Sequence, residues 1–197
     1  MRYGSEHKEA TRRRLVQETA EVIRHEGLHA VGVAAVMKRL GLTHGGFYAH
    51  FDSREALVTA GVDQMYQDGV ALFTSRVRKL PPGEALTRYI VFYLSSAHRD
   101  FAGGSCPLPV LAADAPRLPG AARDQYAAGA QGVREVLAGL IGALGRPEPE
   151  ALASSVLAEL VGAVALARAE PDPARSDAIL SHSRAQLAAR LGLEGQS

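Results

Sequence analysis

The sequence predicts an all-α fold, and three observations carry that prediction. Apolar residues recur three and four positions apart along most of the 197 residues. No convincing run alternates apolar with polar residues, as a half-buried strand requires. The strongest breakers, Pro81-Pro82-Gly83, the GRPEPE stretch and EPDP, fall between the periodic segments and not within them. At 47% apolar, the chain has enough material for a real core.

The first helix is expected over about Ser5–His25, with Leu15, Thr19, Val22 and Ile23 as its buried stripe and Gly27 as its stop. Two short helices follow, about Val33–Leu40 and Thr43–His50, separated by Gly41. Asp52 or Ser53 caps a long helix reaching about Lys79, with Val58, Val62, Met65, Gly69, Leu72 and Phe73 on one face. Pro81-Pro82-Gly83 ends it. One helix is expected over about Glu84–Arg99, where Leu86, Tyr89, Ile90, Tyr93, Leu94 and Ala97 keep a helical period. The Gly- and Pro-rich stretch 100–120 leaves room for a short helix near Leu108–Asp114. Helices over about Ala121–Leu144, Pro149–Ala169 and Pro173–Leu191 complete the chain.

Charge excludes little, since the net value is +1. The balance is uneven, however: residues 1–60 carry nine Lys/Arg, seven Asp/Glu and five of the seven histidines. Cys106 is the only cysteine, so neither an intrachain disulfide nor a cysteine-based zinc site can form. A reducing compartment suits that usage. The polar start MRYGSEHKEATRRR lacks the apolar region of a signal peptide. The longest strongly apolar run, Leu160–Ala167, is far short of the ~20 residues of a membrane span. A cytoplasmic protein with no membrane partner is therefore expected.

The segment VAAVMKRLGLTHGGFYAHF, residues 33–51, reads as two short helices packed across a tight turn. Val33, Val36, Met37 and Leu40 form the inner face of the first, Gly41 reverses the chain, and Leu42 plugs the turn. Thr43 can cap the second helix through its hydroxyl. Phe47 and Phe51 anchor it inward, leaving His44, Gly45, Gly46, Tyr48 and His50 outward. A short helix with a small, polar, exposed start can enter a major groove.

These residues carry a resemblance. The first 60 residues resemble the N-terminal domain of the TetR family of bacterial transcriptional regulators. The shared features are Gly27, the helix ending Leu40-Gly41-Leu42, Thr43 as cap, the Phe47-Tyr48-x-x-Phe51 block, and the Ser53-Arg54-Glu55-Ala56-Leu57 helix start. The rest matches that family only in length and helical content. The resemblance implies a helix-turn-helix DNA-binding domain over residues 1–52 and a helical ligand-binding and dimerisation domain over 53–197. It implies base reading by Thr43, His44, Gly45 and Gly46, and phosphate contact by Tyr48 and Arg54. His50 lies on the same edge, and Arg12 and Arg13 fall where the first helix approaches the DNA backbone, although a solvated charge run reads the same way. Gly32 replaces a usual Ser or Thr, Ala34 and Ala35 replace polar residues, and Ala49 replaces a larger or basic one.

In the second part, large rings opposite many Ala and Gly residues can leave a cavity between helices. Its expected walls are Tyr89, Phe92, Tyr93, Phe101, Cys106 and Tyr126, and its occupant an apolar or electrophilic small molecule. A tightly packed core without a cavity is the competing reading. Cys106 precedes a short helix opened by Pro107, a position that lowers a thiol pKa and raises its reactivity. Cysteine-based sensing of oxidants or electrophiles is thus an alternative, although no lysine lies beyond Lys79 to activate the thiol. Leu152, Ser155, Val156, Leu160, Ala163 and Val164, with Ile179, His182, Leu187 and Leu191, form stripes that a second copy would cover in a four-helix arrangement. Catalysis is not expected. Asp100 cannot readily orient His98 behind Ser95, and His98, Cys106 and His182 lack metal-ligand spacing, so no metal, cofactor or catalytic residue is assigned. The reading is a ligand-released regulator, acting as a homodimer on a near-palindromic double-stranded operator. A helical interaction protein without DNA binding is the distant alternative.

Overall fold

The computed structural model describes residues 2–77, 79–100 and 106–193, and among them every regular element is helical. Helix α1 (Arg2–Glu26) buries Leu15, Thr19, Val22 and Ile23, and Gly27 follows it at a φ of 85° that favours glycine. A 3-10 helix (Leu28–Ala30) leads to α2 (Val33–Arg39). Gly41, at φ 69°, then reverses the chain, and the Leu42 amide closes the turn on the Met37 carbonyl at 2.9 Å. A second 3-10 helix (His44–Ala49) precedes α3 (Arg54–Val77). Of the two expected caps for α3, Ser53 serves: its Oγ accepts from the Ala56 amide at 3.1 Å.

The single helix expected over Glu84–Arg99 is two, α4 (Pro82–Tyr93) and α5 (Ser96–Arg99). Ser95 makes the break. Its extended backbone interrupts the helix, its hydroxyl donates to the Phe92 carbonyl at 2.7 Å, and its Oγ accepts from the His98 amide at 3.2 Å. Serine competes with the backbone in this way, so periodic apolar residues on both sides did not make one helix. The short helix α6 is Pro107–Leu111, followed by a 3-10 helix at Ala115–Arg117. Helices α7 (Gly120–Ala143), α8 (Pro149–Ala169) and α9 (Pro173–Leu191) stand close to the expected bounds.

Two cores result. The first joins α1, α2, the 3-10 helix His44–Ala49 and the start of α3, and it also takes Leu111, Leu118 and Ala122 from later in the chain. The second joins α4, α7, α8 and α9, and it takes Leu108. Helix α6 therefore places one leucine in each core. Helix α3 spans the same junction: buried Arg24 of α1 pairs with Asp68, and the Tyr66 hydroxyl donates to the Tyr126 carbonyl of α7 at 3.0 Å.

The stripes expected to face a second copy are mostly interior. Val156, Leu160, Val164, Leu187 and Leu191 are fully buried within the one chain, and Ala163 nearly so. Helices α8 and α9 pack on α7, α4 and each other, and this packing satisfies those apolar faces. Helix α8 has the length of a membrane span and a window of mean hydropathy 1.6, so only an uninterrupted apolar run falls short. Its Val156, Leu157, Leu160 and Val164 side chains fill the protein's own core.

Helix α7 meets α3 at Gly129. A Cβ there would overlap the Tyr66 ring, whereas one on Gly132 would meet nothing within 4 Å. Gly129→Ala is therefore expected to destabilise the protein by about 1–3 kcal/mol through overpacking. Gly132→Ala should instead stabilise it by up to about 1 kcal/mol, from helix propensity. Urea unfolding midpoints check both; equal effects would show that the α3–α7 contact is not close-packed.

Candidate nucleic-acid interface and sensor region

Phe47 and Phe51 are buried, with ring centroids 6.0 Å apart, and they pin the element between them to the first core. Tyr48 stands on the Phe47 ring edge-on at 5.3 Å and is 65% exposed, so the anchor aims the phenol outward. Thr43, His44, Gly45 and Ala49 are exposed beside it, and Gly46 is half-buried.

The expected Thr43 cap is corrected. Thr43 makes no side-chain cap bond, because its own carbonyl takes the Gly46 amide at 3.0 Å. That tighter turn closes the element as a 3-10 helix in place of the expected α-helix.

Basic groups gather along one edge. The Arg12 guanidinium lies 4.7 Å from the centroid of the Phe51 ring, which joins α1 to the end of the reading element. Burial pushes the His50 pKa below its ordinary value, and the charges of Lys8, Arg12 and His7 push it further the same way. Lys8 and His7 were not among the sequence candidates; a basic residue one helical turn before Arg12 was the available signal. Arg13 is exposed. Arg54 is engaged differently from expectation: its Nε donates to the Val31 carbonyl at 2.6 Å and its Nη2 to Leu28 at 3.3 Å. Arg54 thereby bolts the α1–α2 connection to the start of α3.

In the second part, Cys106 is the centre around which nominated residues gather. Its thiol lies within electrostatic reach of Tyr66, Tyr89, Tyr93 and Tyr126, and it interacts with the Tyr93 hydroxyl. Tyr89 and Tyr93 are core residues, their rings 5.5 Å apart. The half-buried Tyr126 donates to the Leu108 carbonyl at 3.3 Å. Phe92 lies against the His98 ring, with centroids 5.4 Å apart. Phe101 lies outside the described residues. A surface cleft of about 520 Å³ opens between the α4–α5 junction and α9, lined by Leu94, Ser95, Ala178, Leu180, Ser181 and Arg184. Among the described wall candidates, Tyr89, Phe92, Tyr93, Cys106 and Tyr126, none lines it.

Cys106 does precede α6, as expected, but burial pushes its thiol above the ordinary value, against the lowering effects of Tyr93, Leu108 and Arg168. A five-residue helix end does not overcome that desolvation. Arg168, a lone arginine near the end of an apolar helix, is the cation that sequence reasoning missed. It donates to the Arg99 and His98 carbonyls at 2.9 and 3.2 Å, tying α8 to α5.

His98, considered only as a catalytic or metal residue, has a different role. Nδ1 lies 2.8 Å from the Tyr93 carbonyl, and the Cys106 amide donates to Nε2 at 3.2 Å. A carbonyl can only accept and an amide N–H only donate, so Nδ1 carries the proton and the ring is neutral. Ser95 Oγ bonds to the backbone at Phe92 and His98, and both His98 ring nitrogens are engaged by backbone groups.

Comparison with known proteins follows this geometry. Residues 15–60 match the model of the bacterial regulatory proteins of the tetR family. No protein of curated function matches the chain by sequence. A TetR transcriptional regulator from Chloroflexus aurantiacus has 24% identity and a TM-score of 0.81, covering 98% of this chain and 97% of its own. A TetR-family regulator from Cytophaga hutchinsonii has 24% identity and a TM-score of 0.78, covering 92% and 95%. The reduced form of Escherichia coli NemR has 21% identity and a TM-score of 0.77, covering 91% and 97%. At these identities the likeness is one of fold.

The His98 brace has a pH signature. Burial lowers its pKa from 6.5 to about 4, so the unfolded chain takes up the proton first as pH falls. The contribution is whole above pH ~6.5 and is lost as pH drops towards ~4, amounting to about 2 kcal/mol by pH 5. Urea unfolding at pH 8 and pH 5 should show this extra loss in the wild type and not in His98→Gln. Equal pH dependence in both would contradict the neutral brace.

Proposed function

From a chain that carries the DNA-binding domain of the bacterial tetR regulatory proteins and their fold throughout, we propose a ligand-responsive transcriptional regulator, acting as a repressor. It binds a near-palindromic operator as a homodimer and lets go when a small molecule enters the helical body. The family are regulators and not enzymes, and this chain is read as a cytoplasmic one. Residues 1–52 form the reading head and residues 53–197 the regulatory part. The observation that carries the reading is the exposed Tyr48, aimed by Phe47 from an element flanked by Lys8, Arg12 and His50. A tyrosine hydroxyl and cations on one edge suit phosphate, whose contacts fix the register of the element in the groove.

The dimer surface follows from what α8 leaves outside. Ala151, Ser155, Ala158, Gly162, Ala165 and Ala169 recur at four and three, and all are exposed or half-exposed. That spacing is the seam of a close helix pair. Leu166, 64% exposed, adds an apolar contact at one end.

The effector is placed at Tyr89, Phe92, Tyr93, Cys106 and Tyr126, next to α6. A ligand wedged there need only bind the non-operator geometry better. Covalent sensing at Cys106 is the second reading, favoured by the nearby Arg168 and Tyr93. The raised thiol pKa favours the non-covalent version, since the thiolate is the reactive form.

Two measurements test the proposal. Tyr48→Ala should bind a genomically selected operator at least about tenfold more weakly in gel shifts, with unchanged circular dichroism. Wild-type affinity in that variant would reject the placement, and a wild type that selects no DNA would favour an interaction protein. Ala158→Glu should be monomeric by light scattering at micromolar concentration while keeping its helicity. A dimer that survives the change would move the interface elsewhere.

A further inference from the structure

We propose that the Tyr93 hydroxyl is the polar anchor of the effector site, and that the effector it selects is a neutral, mostly apolar molecule carrying one carbonyl oxygen as hydrogen-bond acceptor. The inference rests on the placement of the effector beside α6 and adds its chemical class. Tyr93 is 2% exposed, and its hydroxyl is buried without a hydrogen-bond partner in the chain. A buried donor left unmade is costly, and native interiors hold few of them. The ring is firmly held, its centroid 4.5 Å from that of His98 and 5.5 Å from that of Tyr89. The Cys106 thiol lies beside the hydroxyl, but sulfur is a weak acceptor and does not replace an oxygen.

The neighbouring polar groups are the internal control. The Tyr66 hydroxyl donates to the Tyr126 carbonyl at 3.0 Å, and the Tyr126 hydroxyl to the Leu108 carbonyl at 3.3 Å. Both His98 ring nitrogens meet backbone groups, and Arg168 donates to two backbone carbonyls. These groups serve the fold, whereas the Tyr93 hydroxyl bonds to nothing within it. The same surroundings set the charge of what it binds. Burial raises the pKa of Tyr89, Tyr93 and Cys106, so phenols and thiol keep their protons. A carboxylate brought among them would lose its water at high cost, while a carbonyl loses far less and takes the hydrogen bond. The faces of Tyr89, Tyr93 and Tyr126 suit an aryl body. Tyr66 and Tyr126 are only half-buried, so the cluster is not sealed from solvent.

The test titrates acetophenone, ethylbenzene (a similar shape without the acceptor) and benzoate into full-length wild type, Tyr93→Phe and Tyr66→Phe. Binding is followed by NMR of isotope-labelled tyrosine rings, and stability by urea unfolding. Wild type should bind acetophenone about tenfold more tightly than either other probe, with shifts at Tyr89 and Tyr126. Tyr93→Phe should bind acetophenone no better than ethylbenzene, with an unfolding midpoint equal to or above that of wild type. Tyr66→Phe, which loses a bond the fold uses, should show the reverse: a lower midpoint with the acetophenone preference kept. A Tyr93→Phe protein that keeps the preference, or whose midpoint falls as far as that of Tyr66→Phe, would overturn the proposal. So would tighter binding of benzoate than of acetophenone. If no probe shifts Tyr89 or Tyr126 at millimolar concentration, the placement of the effector site itself fails, and this inference falls with it.

Discussion

Leu108 and Leu111 lie three residues apart on α6, both buried to 1% exposure or less, yet each belongs to a different core. This is the constraint on which the rest of the arrangement depends. A helix of five residues cannot hold itself together, because nucleation is costly and too few backbone bonds repay it. Its position is set by its two leucines. The first core cannot shift relative to the second without extracting one of them, and a buried leucine contributes on the order of 2 kcal/mol or more. Anything that displaces α6 is therefore felt at α1 and α3, and so at the reading element anchored by Phe47 and Phe51.

A polar frame holds the approach to α6. His98 accepts from the Cys106 amide just before the helix and meets the Tyr93 carbonyl at the end of α4. Arg168 fixes the far end of α5 to α8, and Arg99 reaches Ser176 and Asp177 of α9 at 2.8 and 2.6 Å. The four-residue α5 is thus tied to α4, α8 and α9, and the His98, Arg99 and Ser176 ends of these bonds are largely out of water, where an unmade bond costs most. The Cys106 thiol sits inside this frame, among tyrosines. That placement explains how a cysteine before a helix can keep its proton, and it puts the nominated sensor residues next to the element joining the cores.

The sequence made the long helices legible because their apolar residues recur at a strict helical period and Pro or Gly marks their ends. The bounds of α8 and α9 match the expectation to the residue. It also disclosed the reading element, because Phe47, Tyr48 and Phe51 encode anchor and exposed face directly. What it concealed depended on competition or on distant partners. Ser95 broke a periodic helix by taking backbone groups for its own side chain. The Thr43 hydroxyl lost its cap to a backbone carbonyl. The stripes of α8 and α9 were visible as apolar, but whether they face this chain or another is a tertiary question that periodicity does not answer. Arg168 carries no mark in the sequence that sets it apart, and only the fold brings α5 to it.

The coupling through α6 is tested most directly by amide hydrogen exchange on wild type and Leu108→Ala. Loosening the second core at Leu108, more than 80 positions distant from α1 in sequence, should lower protection of the 15–23 amides of α1 in the first core by about tenfold or more, together with α6 itself. Unchanged protection of α1, with loss confined to α6, would contradict the account and leave the two cores mechanically independent.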